Sequence, residues 1–194
     1  MVASSSAALS ALPRFRDRYQ REIVPELMKR FGITNPMAAP KLVKIVLNMG
    51  CGEAAHDAKV LEQAQRDLAL ITGQKPMVTR AKKAVSNFKI KEGDAVGCKV
   101  TLRRARMYEF FERFVTVALP RIRDFRGLKP SGFDEQGNYS CGIKDQSIFP
   151  ELDADKSQYT LGMDVAFVTT ATSPEIARAM LEKFGIPFEK SGSS

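Results

Sequence analysis

The sequence predicts an α+β fold, in which a mostly antiparallel sheet carries its helices on one face and leaves the other face polar. Segments with helical periodicity and segments with alternating hydrophobicity follow one another as helix, strand, helix, strands, helix, strands, helix. With 194 residues, 44% of them hydrophobic, the chain can bury a sizeable core without disulfides or metal. We therefore expect one domain with a single hydrophobic core.

Two helices flank the first predicted strand. Residues 13–31 have helical periodicity, with Pro25 expected to kink the helix and Gly32 to end it. Residues 57–72 form an amphipathic pattern that Gly73 closes. Each helix therefore has a defined end and one apolar side to bury.

Two strands, at residues 42–49 and 94–104, are predicted to have an aliphatic side and a polar side, because their side chains alternate. The aliphatic sides comprise Val43, Ile45, Leu47, Val96, Cys98, Val100 and Leu102. The opposite sides comprise Lys44, Val46, Asn48, Lys99, Thr101 and Arg103. A tight turn or bulge, rather than a nucleotide-binding loop, is expected at residues 50–52, because GCG fits neither glycine-rich phosphate motif.

The second half of the chain predicts two more helices and two more strands. Residues 107–125 have a wide aromatic stripe that is typical of a core-facing helix. Short strands are expected at residues 138–143 and 162–170. A final helix should begin after Ser173 and end at Gly185.

The predicted domain spans residues 13–188. Residues 1–12 are rich in Ala and Ser and lack the basic and apolar regions of a signal peptide, so we expect a flexible leader. Residues 189–194 should be a flexible tail. The sequence contains no apolar run long enough for a membrane-spanning helix, and no membrane partner is expected.

The positive charge is concentrated in the middle of the chain. The whole chain has 30 Lys and Arg against 22 Asp and Glu, a net charge of +8. Residues 75–106 hold ten basic and two acidic side chains, whereas residues 107–194 have a net charge of −3. A solvated face explains many basic clusters, but this one is interleaved with strand-like alternation and glycine, which favours a surface presented to nucleic acid.

The residues that usually carry catalysis or bind metals are few. One histidine and three distant cysteines (Cys51, Cys98 and Cys141) indicate neither a disulfide framework nor a zinc site. His56 and Asp57 are adjacent, so their side chains diverge, and the acidic residues at 151–155 lack the ligand series of a calcium loop. We therefore expect no catalytic residues, no metal, no cofactor, no small-molecule substrate and a reduced cytoplasmic setting.

Several segments, in order, resemble the fifth large-subunit ribosomal protein family, in its bacterial form. The resemblance runs from Tyr19 to Phe188 without large gaps. The matching segments are 44–54 (KIVLNMGCGEA), 71–76 (ITGQKP), 79–83 (TRAKK), 88–93 (FKIKEG), 119–127 (LPRIRDFRG), 137–139 (GNY) and 149–151 (FPE).

The resemblance implies that the sheet surface binds 5S rRNA and attaches it in the central protuberance of the large subunit. It assigns base and ribose contacts to Asn48, Gln74 and Thr101, whose amide and hydroxyl groups suit an irregular RNA loop. Lys44, Lys99 and Arg103 would neutralise phosphates beside them. We also expect contact with 23S rRNA.

The resemblance further implies two contacts outside the sheet. The loop at residues 80–91 would reach P-site tRNA through Arg80, Lys82, Lys83, Lys89 and Lys91. The mildly acidic C-terminal half would face a basic small-subunit protein across an inter-subunit bridge.

Two alternatives remain beside a structural ribosomal protein. The chain could be a free RNA-binding assembly or translation factor that uses the same sheet, or a small enzyme of ferredoxin-like shape. The lack of a catalytic set disfavours the enzyme. Sedimentation separates the other two, because a structural protein is stoichiometric in the large subunit.

Overall fold

Five strands form one antiparallel sheet in the computed structural model, which describes residues 13–52, 57–152 and 158–189. The strands are β1 (Leu42–Gly50), β2 (Met77–Arg80), β3 (Ala95–Leu102), β4 (Tyr139–Ile143) and β5 (Met163–Thr169). Their order across the sheet is β2-β3-β1-β5-β4, so β1 is central and β2 and β4 are the edges. All four strand pairs are antiparallel, which confirms the predicted fold class.

The predicted helices are present, with the expected glycine ends. The helices are α1 (Arg14–Arg18), which continues through a π-helical turn (Tyr19–Ile23) into α2 (Val24–Phe31), then α3 (Ala58–Thr72), α4 (Arg104–Arg113) and α5 (Pro174–Phe184). Gly32, Gly73 and Gly185 follow three of them with φ values of 65°, 64° and 101°. A left-handed backbone suits glycine, so these residues end the helices as predicted.

An aromatic cluster packs the helices onto one face of the sheet. The Phe111 ring of α4 lies 5.4 Å from that of Phe15 in α1 and 5.0 Å from that of Phe184 in α5, centroid to centroid. It also lies 5.3 Å from Phe167 of β5. Such ring pairs add about 1 kcal/mol each beyond the area they bury. The helices are thereby held on the side of the sheet that β1 fills with buried aliphatic residues.

Three details of the predicted elements were wrong: the side of β1 on which Val43 lies, the end of the aromatic helix and the end of the second strand. The β1–β5 register shifts between Leu42 and Lys44, so Leu42 takes the buried side and Val43 is 37% exposed. The helix predicted to reach residue 125 gives way to a π-helical turn at residues 114–118 and a single 3-10 turn, Leu119–Arg121. Pro120 cannot donate the next backbone hydrogen bond.

The third difference from the prediction is the position of Arg103, which was predicted to lie within a strand. β3 ends at Leu102, and Arg103 is the N-cap residue of α4 with an extended backbone. Its backbone carbonyl therefore begins the helix instead of continuing the ladder, while its exposed side chain still follows the polar side of β3.

Gly97 and Gly50 offer a matched test of the β1–β3 contact, because they are register partners. A Cβ at Gly97 would lie 2.5 Å from the Met49 carbonyl oxygen, whereas a Cβ at Gly50 would meet nothing within 4 Å. We expect Gly97→Ala to lower the free energy of unfolding by about 1–3 kcal/mol through overpacking. Urea unfolding measures the change. Gly50→Ala should leave stability unchanged or slightly higher, and an equal loss in both variants would contradict the contact argument.

Candidate RNA interface

The face of the sheet opposite the helices, here called the open face, carries polar side chains on β1 and β3. The register places Asn48 opposite Lys99 and Val46 opposite Thr101. Directly opposed residues have Cβ atoms about 5 Å apart, so these side chains form one continuous patch. Lys99 and Thr101 are exposed and Asn48 is partly exposed, whereas Ile45, Leu47 and Met49 between them are fully buried. The alternation predicted from the sequence thus puts Asn48 and Thr101 on the open face.

Gln74 reaches the same patch from the end of α3. The left-handed Gly73 turns the chain, and the Gln74 backbone N–H donates to the Thr72 hydroxyl at 3.3 Å. The Gln74 side-chain amide then donates a long hydrogen bond of 3.5 Å to the carbonyl oxygen of Thr101. The fold therefore brings together Asn48, Gln74 and Thr101 from three separate segments.

Cations surround this polar patch. Lys99 lies on β3 within it, and extending the β1–β3 register by one residue brings Lys44 opposite Arg103. None of the three forms an ion pair with a carboxylate in the described part of the chain. An anion bound near these cations would interact favourably with them.

One acidic residue on the open face was missed at the sequence level. Asp164 of β5 is exposed and opposes Asn48, so a row of residues crosses all five strands. The row runs Met77, Lys99, Asn48, Asp164, Gly142. The alternation of Asp164, Ala166 and Val168 with buried neighbours could have revealed it. Its carboxylate separates a cationic half of the face, at β2, β3 and β1, from a neutral half at β4.

The loop between β2 and β3 has an ordered base. The Ala81 N–H donates to the Asp94 carbonyl at 2.8 Å, and the Gly93 N–H donates to the Ala81 carbonyl at 2.9 Å. The Arg80 guanidinium donates to the Gly93 carbonyl at 2.9 Å. These bonds extend the β2–β3 pairing into the first residues of the loop.

The outer part of this loop is a turn, although residues 88–91 (FKIK) alternate between apolar and basic side chains. A bridge joins Val85 to Ile90, and Lys89 between them has a φ of 53°. The left-handed backbone at Lys89 closes the turn and breaks the alternation. Phe88 is left 70% exposed. The basic side chains of the loop are also exposed: Arg80, Lys82, Lys83, Lys89 and Lys91.

Cys98, Cys141 and Asp57 are accounted for by the fold itself, as buried thiols and a helix cap. Burial raises the pKa of Cys98 and Cys141 to about 12, so both thiols are protonated at neutral pH. Asp57 caps α3, where hydrogen bonds from the Lys59 N–H and the Tyr159 hydroxyl lower its pKa. No group of three potential metal ligands and no helix able to cross a membrane occurs within residues 13–52, 57–152 and 158–189. The predictions for His56 and for residues 153–155 lie outside the described residues.

Two models of known protein families match this chain, and together the matched residues contain all five strands. Residues 35–91 match the family described as Ribosomal protein L5. Residues 95–188 match the model that describes the C-terminus of the same ribosomal family. The first match contains β1, α3 and β2, and the second contains the remaining strands, α4 and α5.

Full-length relatives agree with these matches. A protein of Caldanaerobacter subterraneus subsp. tengcongensis named large ribosomal subunit protein uL5 is 54% identical over 179 residues, which cover 92% of this chain and 100% of the relative. The protein of the same name from Clostridium kluyveri is 56% identical, covering 90% of this chain and 97% of the relative. Together these similarities confirm the resemblance seen in the sequence, and the chain belongs to the ribosomal protein L5 family.

Proposed function

We propose that this chain is a structural constituent of the large ribosomal subunit and that its open face binds 5S rRNA, attaching it in the central protuberance. The family consists of structural ribosomal proteins, so the chain is not an enzyme, and its place is in the ribosome in the cytoplasm. Ribosomal RNA is the partner that follows from this membership. The polar and cationic residues of the open face support 5S rRNA as its ligand.

The observation that carries the proposal is the convergence of Asn48, Gln74 and Thr101 on one rigid surface. Two amides and a hydroxyl supply both donors and acceptors, which can read base edges and 2′-hydroxyl groups in an irregular RNA loop. Because Asn48 lies on β1, Thr101 on β3 and Gln74 just after α3, the distances between them are set before RNA binds.

Charge determines where the RNA lies on the face. Lys44, Lys99 and Arg103 flank the polar patch and can each meet a phosphate. Asp164 marks the opposite limit, because its carboxylate repels phosphates. We therefore place the RNA across β2, β3 and β1, with β4 outside the contact.

We propose that the loop at residues 80–91 contacts P-site tRNA. Its five cations form no ion pair with a described carboxylate, and the exposed Phe88 ring at its turn can stack on a base or pack on a ribose. Hydrogen bonds tie the base of the loop to the ends of β2 and β3, and its tip lies beyond the strand residues of the proposed 5S site. This separation allows the two RNAs to be bound together.

A protein contact is proposed for the C-terminal half. Residues 107–194 have a net charge of −3, in contrast to the basic middle of the chain. A basic small-subunit protein across an inter-subunit bridge fits that charge. The same chain would then bind RNA at one end and a basic protein at the other.

Thr101 provides the sharpest test of the 5S site. Thr101→Ala and Asn48→Ala should each weaken 5S rRNA binding by about 1–3 kcal/mol, because each leaves RNA polar groups without a partner. Filter binding measures the affinity, and circular dichroism checks the fold.

Ser140→Ala is the matched control for Thr101→Ala. Ser140 lies on β4 in the same cross-strand row as Thr101, with Val46 and Ala166 between them, and its hydroxyl is likewise on the open face. Since it lies beyond Asp164, its removal should leave the affinity unchanged. Wild-type affinity in both alanine variants at Asn48 and Thr101 would eliminate the proposed site.

Lys82 and Lys83 test the tRNA loop. Replacing both with Ala should keep 5S rRNA affinity within about twofold, because the loop lies off the open face, yet alter protection of P-site tRNA in assembled ribosomes. Chemical footprinting of the tRNA measures the second effect. A large loss of 5S rRNA affinity would instead show that the loop binds 5S rRNA, and that its assignment to tRNA is wrong.

A further inference from the structure

The guanidinium of Arg113 joins three parts of the fold from the side of the sheet that carries the helices. Arg113 is the last residue of α4. Its Nη1 pairs with the carboxylate of Glu151, which belongs to a segment, residues 149–151, that has no role in the proposed function. Its Nη2 donates a hydrogen bond of 3.1 Å to the carbonyl oxygen of Ile71, near the end of α3. One side chain therefore ties the C-terminal half of the chain to the helix that precedes Gln74.

The bond to Ile71 lies where α3 needs a partner. The carbonyl groups in the last turn of a helix have no donor within the helix. The Gly73 N–H donates to the Ala69 carbonyl at 2.9 Å, and the last turn itself, residues 69–72 (ALIT), is uncharged. Arg113 supplies from α4 both a donor for the Ile71 carbonyl and the positive charge that a helix C-terminus favours. The end of α3 is thereby fixed from outside the helix.

Hydrogen bonds connect this fixed end to Gln74. The Thr72 hydroxyl donates to the Leu68 carbonyl at 2.6 Å and accepts the Gln74 backbone N–H at 3.3 Å. The side-chain amide of Gln74 then reaches β3, where it donates to the Thr101 carbonyl at 3.5 Å. A primary amide has two N–H groups and an oxygen, so this bond leaves Gln74 with a donor and an acceptor for RNA.

Stability alone does not account for the ion pair. Phe110 of α4 and Phe114, the next residue after α4, already pack on Phe149, with ring centroids 6.1 Å and 6.5 Å from its own. A partly buried ion pair is often no more stabilising than apolar residues of similar size. Apolar residues could not supply the directed bond to Ile71, whereas a guanidinium can donate in two directions at once.

We propose that Arg113 is a positioning residue for the RNA site: held by Glu151, it fixes the end of α3 so that Gln74 meets RNA in one orientation. The inference rests on the proposed function, in which Gln74 contacts 5S rRNA. Arg113 lies with the helices, on the other side of the sheet from the open face, and acts through α3. A surface that is ordered before binding loses less conformational entropy in the complex, so loss of the Arg113 bonds weakens binding without removing an RNA contact.

A double-mutant cycle on the full chain tests this coupling. Arg113→Lys keeps the charge but loses the two-directional donor, and should weaken 5S rRNA binding by about threefold to tenfold. In a Gln74→Ala background the same change should cost nothing further. In an Asn48→Ala background it should cost the full factor, because Asn48 lies on β1 and not on α3. Filter binding measures each affinity, and equal factors in all three backgrounds would overturn the inference.

Arg14→Lys is the matched control. Arg14 of α1 pairs with Glu112 of α4 at 3.4 Å, and its side chain is 90% exposed. The substitution is the same and the net charge is again unchanged, but the bond to Ile71 stays in place, so 5S affinity should stay within about twofold. Equal losses in Arg14→Lys and Arg113→Lys would mean that any weakening around α4 reduces binding, and would overturn the inference.

Hydrogen exchange without RNA measures the positioning directly. Arg113→Lys should speed exchange of the Gly73 and Gln74 amides, both of which are hydrogen-bonded, while the amides of β1 keep their protection. Unchanged exchange at these two amides would overturn the inference. Faster exchange throughout the sheet would also overturn it, because the role of Arg113 would then be general stability.

Glu151→Gln is the second variant, for use if Arg113→Lys does not fold. It keeps an acceptor beside Arg113 but removes the charge, and should give a smaller loss of 5S affinity that again disappears in the Gln74→Ala background. A loss that persists in that background would overturn the inference. Full 5S affinity in Gln74→Ala alone would instead contradict the proposed function, even if exchange at the end of α3 still responded to Arg113→Lys.

Discussion

The packing of Phe111 is the interaction on which the rest of the structure depends. Its ring contacts aromatic rings from α1, α5 and β5, so one side chain joins the first helix, the last helix and the sheet. Because these rings all lie on one side of the sheet, they hold α1, α4 and α5 on that side. The open face stays bare as a consequence of how the core is filled.

The strand register determines which side chains lie beside one another on the open face, and so separates its cationic side from Asp164. Antiparallel pairing of β1 with β3 brings the amide of Asn48 beside Lys99 and places Thr101 within reach of Gln74. Pairing of β1 with β5 puts Asp164 on the other side of Asn48. A shift of one residue in either pairing would turn these side chains toward the core, so the position of the RNA surface follows from the register.

Local patterns in the sequence predicted most helices and strands, whereas contacts between residues far apart in the chain could not be predicted from such patterns. Alternation was enough to put Thr101 and Asn48 on the polar side, and glycines marked the helix ends. The bulge that exposes Val43 depends on pairing with β5, more than a hundred residues later. Gln63 is buried because its side-chain oxygen accepts the Tyr159 N–H at 3.3 Å across 96 residues, and no periodicity indicates that.

The short edge strand β2 has a consequence for the chain before it joins a ribosome. An uncovered edge offers unpaired backbone groups to any other strand, and so invites aggregation. Here the edge is only four residues long, Arg80 is its last residue, and Lys75 lies two residues before its first. Repulsion between such edges disfavours pairing of one copy with another. The basic residues at this edge would therefore also keep newly made chains apart until RNA neutralises them.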